Sequence, residues 1–213
     1  MDMIETLKSA GIIPVIVIDK VEQAVPLANA LVKGGLPVLE VTFRTACAAE
    51  AIAKIKAEVS GATLIAGTVL TMKQLVAAKA AGAEACVAPG FDPMIVKAAN
   101  EMGMPFCPGV ATASELSQAL SLGCRMVKFF PAESAGGVKY IKDLLGAFRW
   151  TGVKIMPTGG VKTSNVADYL AVPEIICCGG TWVAPKDALA AGDYAKIETL
   201  AKEAAELVRK IRG

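Results

Sequence analysis

Histidine is absent from the 213 residues. That excludes every catalytic triad built on an imidazole base and the commonest zinc ligand sets. Acid–base work is left to Glu, Asp, Lys, Tyr or Cys. Charged residues make up only 20% and the formal net charge is +2. No basic tract of the kind that follows a phosphate backbone occurs, so neither nucleic acid nor a membrane surface is expected as a partner. No apolar run approaches the roughly 20 residues that a membrane span needs. The opening residues, Met1-Asp2-Met3-Ile4-Glu5, carry acids and no positive leader segment, which argues against a secretory signal. The six cysteines, Cys47, Cys86, Cys107, Cys124, Cys177 and Cys178, form no C-x-x-C pair. They read as reduced, small core residues, which suits a cytoplasmic protein.

What the chain does have is apolar residues, 54% of the total, arranged as an alternation. Strands are predicted at 13–18, 38–44, 63–70, 84–89, 105–110, 125–130, 153–157 and 175–178. Between them lie helical stretches at 21–33, 48–59, 72–81, 94–102, 114–122, 138–145 and 165–170, with a short helix at 4–9 and a long one at 194–212. Ser114 with Glu115, and Thr163 with Asn165, mark helix starts. Pro26 is a candidate kink in the first crossover helix. Eight strands alternating with helices imply a parallel sheet. They predict one domain over 1–213, a (β/α)8 TIM barrel with a short N-terminal helix. A doubly wound open sheet is the rival, but no G-x-G-x-x-G follows the first strand.

One residue is out of place in this pattern. Lys128 interrupts Arg125-Met126-Val127-Lys128-Phe129-Phe130-Pro131, which otherwise reads as a buried strand. Lysine is rarely buried fully. Burial disfavours the ammonium form, and a fully buried lysine can lose about 3–5 pKa units. The resulting amine can attack a carbonyl and form a Schiff base. The alternatives are a side chain that reaches back to water or one paired with a buried carboxylate.

In a barrel, chemistry gathers at the C-terminal ends of the strands. Along Leu39-Glu40-Val41-Thr42-Phe43-Arg44, alternation places Glu40, Thr42 and Arg44 on one face and the apolar residues on the other. Glu40 is then deep and Arg44, roughly 13 Å further along the strand, stands at the mouth. Arg44 could clamp a substrate carboxylate or form a plain surface ion pair. Thr68 offers a hydroxyl to a carboxylate, or is merely a strand former. Gly67 beside it admits a ligand or another backbone. Strands seven and eight end in Thr158-Gly159-Gly160 and Gly179-Gly180-Thr181. Paired glycines there could cradle phosphate with bare N–H groups, although tight turns use glycine too. An amine, a carboxylate, a carboxylate clamp and a phosphate cradle suit a keto-acid phosphate substrate.

The motifs Leu39-Glu40-Val41-Thr42-Phe43-Arg44, Ala66-Gly67-Thr68-Val69, Ala88-Pro89-Gly90, Pro108-Gly109-Val110, Val127-Lys128-Phe129-Phe130-Pro131-Ala132-Glu133 and Pro157-Thr158-Gly159-Gly160 follow in this order. In this the chain closely resembles the aldolases of 2-keto-3-deoxy-6-phosphogluconate (KDPG) and 4-hydroxy-2-oxoglutarate (KHG). The resemblance implies a metal-free, cofactor-free class I aldolase that forms a homotrimer. It implies Lys128 as the Schiff-base lysine and Glu40 as the general acid–base. Arg44 and Thr68 would hold the pyruvate carboxylate, with Pro89 lining that pocket. Thr158, Gly159, Gly160, Gly179, Gly180 and Thr181 would lie near the sugar chain and phosphate. The family often has serine where Thr181 stands, and some relatives carry an arginine on strand one, where 13–18 is apolar here. Related readings are an aldolase for the galactonate isomer and a non-catalytic scaffold barrel. Metal-dependent epimerases would need the histidines that are missing.

Overall fold

A computed structural model describes residues 3–213, so the expectation drawn from Met1 and Asp2 lies outside them. The chain begins with α1 (Met3–Ala10) and β1 (Ile12–Ile16). A 3-10 turn (Val21–Gln23) leads into α2 (Ala24–Lys33). Pro26 therefore stands in the first turn of α2, where its missing N–H has no partner to lose. The expected kink is replaced by a helix start.

There follow β2 (Val38–Thr42), α3 (Ala48–Glu58), β3 (Thr63–Gly67), α4 (Met72–Ala80), β4 (Ala85–Val87) and α5 (Pro93–Glu101). The fifth predicted strand is split into β5 (Phe106–Cys107) and β6 (Gly109–Val110). Pro108 sits at the break because it has no N–H to give to a ladder. Next come α6 (Ala113–Ser121), β7 (Met126–Phe129), α7 (Gly137–Phe148), β8 (Lys154–Pro157) and α8 (Val166–Leu170). The chain closes with β9 (Cys178–Gly180), α9 (Lys186–Ala191) and α10 (Tyr194–Arg212).

Three details differ from expectation. Helix α6 is capped by Thr112 rather than Ser114: Glu115 N donates to Thr112 Oγ1 and Thr112 N to Glu115 Oε2, a reciprocal box that Ser114 is too late to form. At α8 the N-cap is Asn165, not Thr163. The last strand lies later than 175–178, so Gly179 and Gly180 belong to the sheet, in register with Ile13 and Pro14.

All strand pairs are parallel. The order is β5-β4-β3-β2-β1-β9 in one sheet and β6-β7-β8 in the other. Isolated bridges join Ile155 to Ile175 and Thr158 to Gly179. The architecture is thus a mixed α/β fold on a curled parallel sheet, where one unbroken eight-strand ladder was expected.

Side-chain alternation sorts two apolar layers. Leu39, Val41, Leu64, Ala66, Val127 and Phe129 pack outward with the helices. Leu7, Ile13, Val38, Ile65, Cys107, Met156 and Cys177 form a separate inner cluster. Among the described residues no helix is long and apolar enough to cross a membrane.

Candidate active site

Strand β2 turns Glu40 and Thr42 away from the helices, and both are fully buried. The Thr42 hydroxyl donates to the Ile16 carbonyl at 2.9 Å, which ties β2 to β1 on that face. Strand β7 turns Lys128 inward on the parity of Met126, and only 2% of it is exposed. Its backbone is in register with Gly109 and Met156. The Lys128 Nζ lies 3.0 Å from Glu40 Oε1 and 3.5 Å from Oε2. The Phe130 ring centroid is 5.7 Å from the same nitrogen. Two residues 88 apart in sequence thus share one dry site, and the lysine is paired rather than reaching back to water.

Small residues make room for this pair. A methyl group at Gly67 would fall 2.3 Å from Glu40 Oε1. Among protein atoms, the close approach predicted at Gly67 is made by the Glu40 carboxylate rather than by a backbone. A methyl at Gly109 would lie 2.3 Å from the Pro89 carbonyl oxygen, so Gly109 lets the turn after β4 close over β6.

Thr68 follows directly on Gly67 and has φ +58°, the one non-glycine residue with positive φ among those described. A β-branched residue in that region is strained, and such strain clusters at functional sites. Arg44 lies in the turn after β2, exposed, and no hydrogen bond or ion pair engages its guanidinium among the described residues. Among those residues, then, no surface ion pair accounts for it. Pro89 is half-buried beside Gly109.

At the end of β8, Thr158 is 5% exposed, yet its hydroxyl has no hydrogen-bond partner among the described residues. Buried hydroxyls are nearly always bonded. A methyl at Gly179 would strike Thr158 Oγ1 at 2.3 Å, so the two strand ends are in contact. Gly159 and Gly160 follow with φ of +100° and +80°, conformations only glycine adopts freely. Gly180 packs against the Trp182 ring, and Thr181 is exposed beyond the strand. Lys128, Glu40, Thr158 and Gly179 are thus inside, Thr68, Pro89 and Gly159 are half-buried, and Arg44, Gly160 and Thr181 are at the surface.

A cavity of about 410 Å3 lies elsewhere, between α1 and the starts of β4, β5 and β7. It contains none of the predicted site residues. Glu133 stands in the same motif as Lys128, and nothing in the sequence alone gives it a role. The Tyr169 hydroxyl donates to its carboxylate. Among the described residues no group of three or more His, Cys, Asp or Glu could hold a metal ion.

A family model described as KDPG and KHG aldolase matches residues 3–200. A KHG/KDPG aldolase of Escherichia coli K12 is 48% identical over 200 residues, covering 94% of this chain and 93% of its own. Among solved structures, the KDPG aldolase of Zymomonas mobilis ZM4, determined with 3-phosphoglycerate, is 45% identical with a TM-score of 0.88, over 95% of each chain. The KDPG aldolase of Legionella pneumophila, with pyruvate captured as a covalent carbinolamine, is 38% identical with a TM-score of 0.90, over 95% of this chain and 98% of that one.

Proposed function

Because the chain belongs to the KDPG and KHG aldolase family, we propose that its lyase chemistry is run by Lys128 as Schiff-base nucleophile and Glu40 as general acid–base. The reaction is cleavage of KDPG to pyruvate and glyceraldehyde 3-phosphate, and KHG, giving pyruvate and glyoxylate, is a second substrate. The observation that carries the residue assignment is the buried contact of 3.0 Å between the two side chains.

The chemistry follows from that contact. The Lys128 nitrogen must be unprotonated to attack, and Glu40 is placed to take the proton. Attack on the C2 ketone gives a carbinolamine. Glu40 returns a proton to the departing hydroxyl, and loss of water leaves an iminium on Lys128. The iminium draws the electron pair of the C3–C4 bond as Glu40 accepts the C4 hydroxyl proton. Glyceraldehyde 3-phosphate leaves, the enamine is protonated, and hydrolysis frees pyruvate and Lys128. No cofactor is required, because the imine stabilises the carbanion.

Binding is assigned from the same end of the strands. Arg44, which has no other partner among the described residues, and Thr68 hold the carboxylate, and Pro89 lines that pocket. Thr158, whose hydroxyl lacks a partner, sits with Gly159, Gly160, Gly179, Gly180 and Thr181 near the sugar chain and phosphate. The two sheets are taken together as one (β/α)8 domain, joined across Pro108 and through the bridges from β8 to Ile175 and from Thr158 to β9. A cytoplasmic homotrimer is the assembly proposed. Exposed Leu70, Met72, Val76 and Met94 on and beside α4 and α5 supply apolar surface for it.

Borohydride added with pyruvate tests the first step. The reduced adduct is expected on Lys128, and an adduct elsewhere removes that role. Glu40→Gln is expected to leave the adduct detectable while slowing cleavage about a hundredfold or more, read by coupling pyruvate release to lactate dehydrogenase. Near-normal turnover would take Glu40 out of the mechanism.

A further inference from the structure

Glu133 lies five residues beyond Lys128, in the loop between β7 and α7. That loop is stitched to the turn after β8. Ala132 N donates to the Thr158 carbonyl at 2.8 Å, and Glu133 N donates to the Gly159 carbonyl at 3.0 Å. The Glu133 side chain then runs under Gly160: a methyl group there would fall 2.6 Å from both its Cβ and its Cγ. Its carboxylate ends against the first turn of α7, where a methyl at Gly137 would lie 3.2 Å from Oε1 and 3.5 Å from the Tyr169 hydroxyl. Tyr169, on α8, is 1% exposed and donates to Glu133 Oε1. One contact thus joins the loop after β7, the turn after β8 and two helices.

We infer that Tyr169 and Glu133 are positioning residues that hold the Thr158-Gly159-Gly160 turn in shape for the phosphate end of the substrate. The inference rests on the placement of that end at this turn under the proposed function. Two physical effects act together. Packing of Glu133 beneath Gly160 fixes the direction of the turn's N–H groups. The bond to Tyr169 also holds a carboxylate on the helix side of the turn, away from an anion bound on the other side; a free carboxylate beside Gly160 would repel it. Burial, and then the hydrogen bond to Glu133, push the Tyr169 phenol above its ordinary value, so it remains a donor through the neutral range.

The test separates the two ends of the substrate. Tyr169→Phe deletes the donor. It is expected to raise KM for KDPG about fivefold to tenfold, the scale of one lost hydrogen bond, with kcat within about twofold and pyruvate trapping by borohydride unchanged. Glu133→Gln keeps an acceptor for Tyr169 and is expected to stay near wild type. The double variant Tyr169→Phe/Glu133→Gln is expected to recover part of the loss, because the freed side chain is then uncharged. Should Tyr169→Phe fail to fold, Glu133→Ala removes the bond and the packing beneath Gly160 from the exposed side; with no freed carboxylate to repel the anion, a smaller rise in KM, about twofold to fivefold, is expected. An unchanged KM, or a parallel fall in pyruvate trapping, overturns the inference. Inorganic phosphate as a competitor of KDPG in the wild type isolates the underlying placement. If it does not compete, the phosphate is not at this turn and the positioning role falls with it. If it competes and neither Tyr169→Phe nor Glu133→Ala changes its inhibition constant, only the positioning role is wrong.

Discussion

Inside the curled sheet, Cys107 and Cys177 lie among Leu7, Ile13, Ile65 and Met156, while further along the strands Lys128 and Glu40 meet at 3.0 Å. Both regions bury ionisable groups, but under opposite rules. The thiols stand alone and stay neutral: burial pushes each well above its ordinary value. At Cys107 the smaller influences of Lys128 and Glu40 oppose one another, since the ammonium lowers and the carboxylate raises. A neutral thiol can be dried without a partner, because it behaves as a small hydrophobe. A lysine and a glutamate cannot, so they are buried together. One region resembles any well-packed core. The other holds a charged pair, an unpartnered Thr158 hydroxyl and a strained Thr68, none of which a core alone would favour.

Alkali should act on the thiol region and produce the largest effect. Burial raises Cys86 and Cys178 from 9.0 to about 12, and raises Cys107, Cys124 and Cys177 as well. Each of these groups binds its proton more tightly folded than unfolded. The stability this supplies is whole below about pH 9, the unfolded value, and is lost as pH rises toward the folded values. The urea midpoint is expected to fall steeply between about pH 9 and pH 12. Replacing Cys107 and Cys177 by alanine removes the two titrating groups of the inner cluster and should make that fall shallower. A midpoint level through this range, or an unchanged slope in the variant, would erase the contrast between the two regions.

The charged region is probed by removing one partner and then both. Lys128→Met leaves Glu40 buried without its cation, which is expected to cost about 3–5 kcal/mol. Adding Glu40→Leu removes the stranded charge, and the double variant should match or exceed wild-type stability, by up to about 4 kcal/mol. Both are expected to lose cleavage by about four orders of magnitude or more, as when a covalent nucleophile is deleted. Urea denaturation and the coupled assay read the two quantities separately. A double variant less stable than Lys128→Met would mean that the pair holds the fold together rather than burdening it.

The difference between the regions was largely legible in the sequence, because it is written in side-chain parity. Leu39 and Val41 against Glu40 and Thr42, and Val127 and Phe129 against Lys128, assign the two faces with no structure in hand. What was not legible depends on contacts with no local pattern. The last strand sits at Cys178–Gly180 because glycines pair with β1, and glycine has no side chain to mark a strand. Helix α9 is only six residues long, too short to show a period. Gly67 reads as a gap for a ligand or another backbone, and nothing local in the sequence shows that a carboxylate oxygen from the neighbouring strand needs it too. The Tyr169–Glu133 bond spans 36 residues and three elements; the motif containing Glu133 was visible, but its partner was not.

Thr68 offers the smallest and finest probe, because there the two rules meet in one residue. Its φ of +58° is a backbone strain of order 1–2 kcal/mol for a side chain with a Cβ, and under the proposed function a hydroxyl is what the strain positions. Thr68→Gly relieves the strain but frees the unfolded chain, which takes back about 0.5–1 kcal/mol. The net expectation is a gain of up to about 1 kcal/mol in stability. The same change removes the hydroxyl assigned to the pyruvate carboxylate, so the pyruvate concentration needed for half-maximal borohydride trapping should rise about tenfold. Thr68→Ser divides the two effects: it keeps the hydroxyl and a Cβ, so trapping should stay near wild type while the strain is only partly eased. If glycine is destabilising by more than about 1 kcal/mol, the position is not strained. If serine and glycine weaken trapping equally, the hydroxyl is not what holds the substrate, and Thr68 belongs with the packed region rather than with the chemistry.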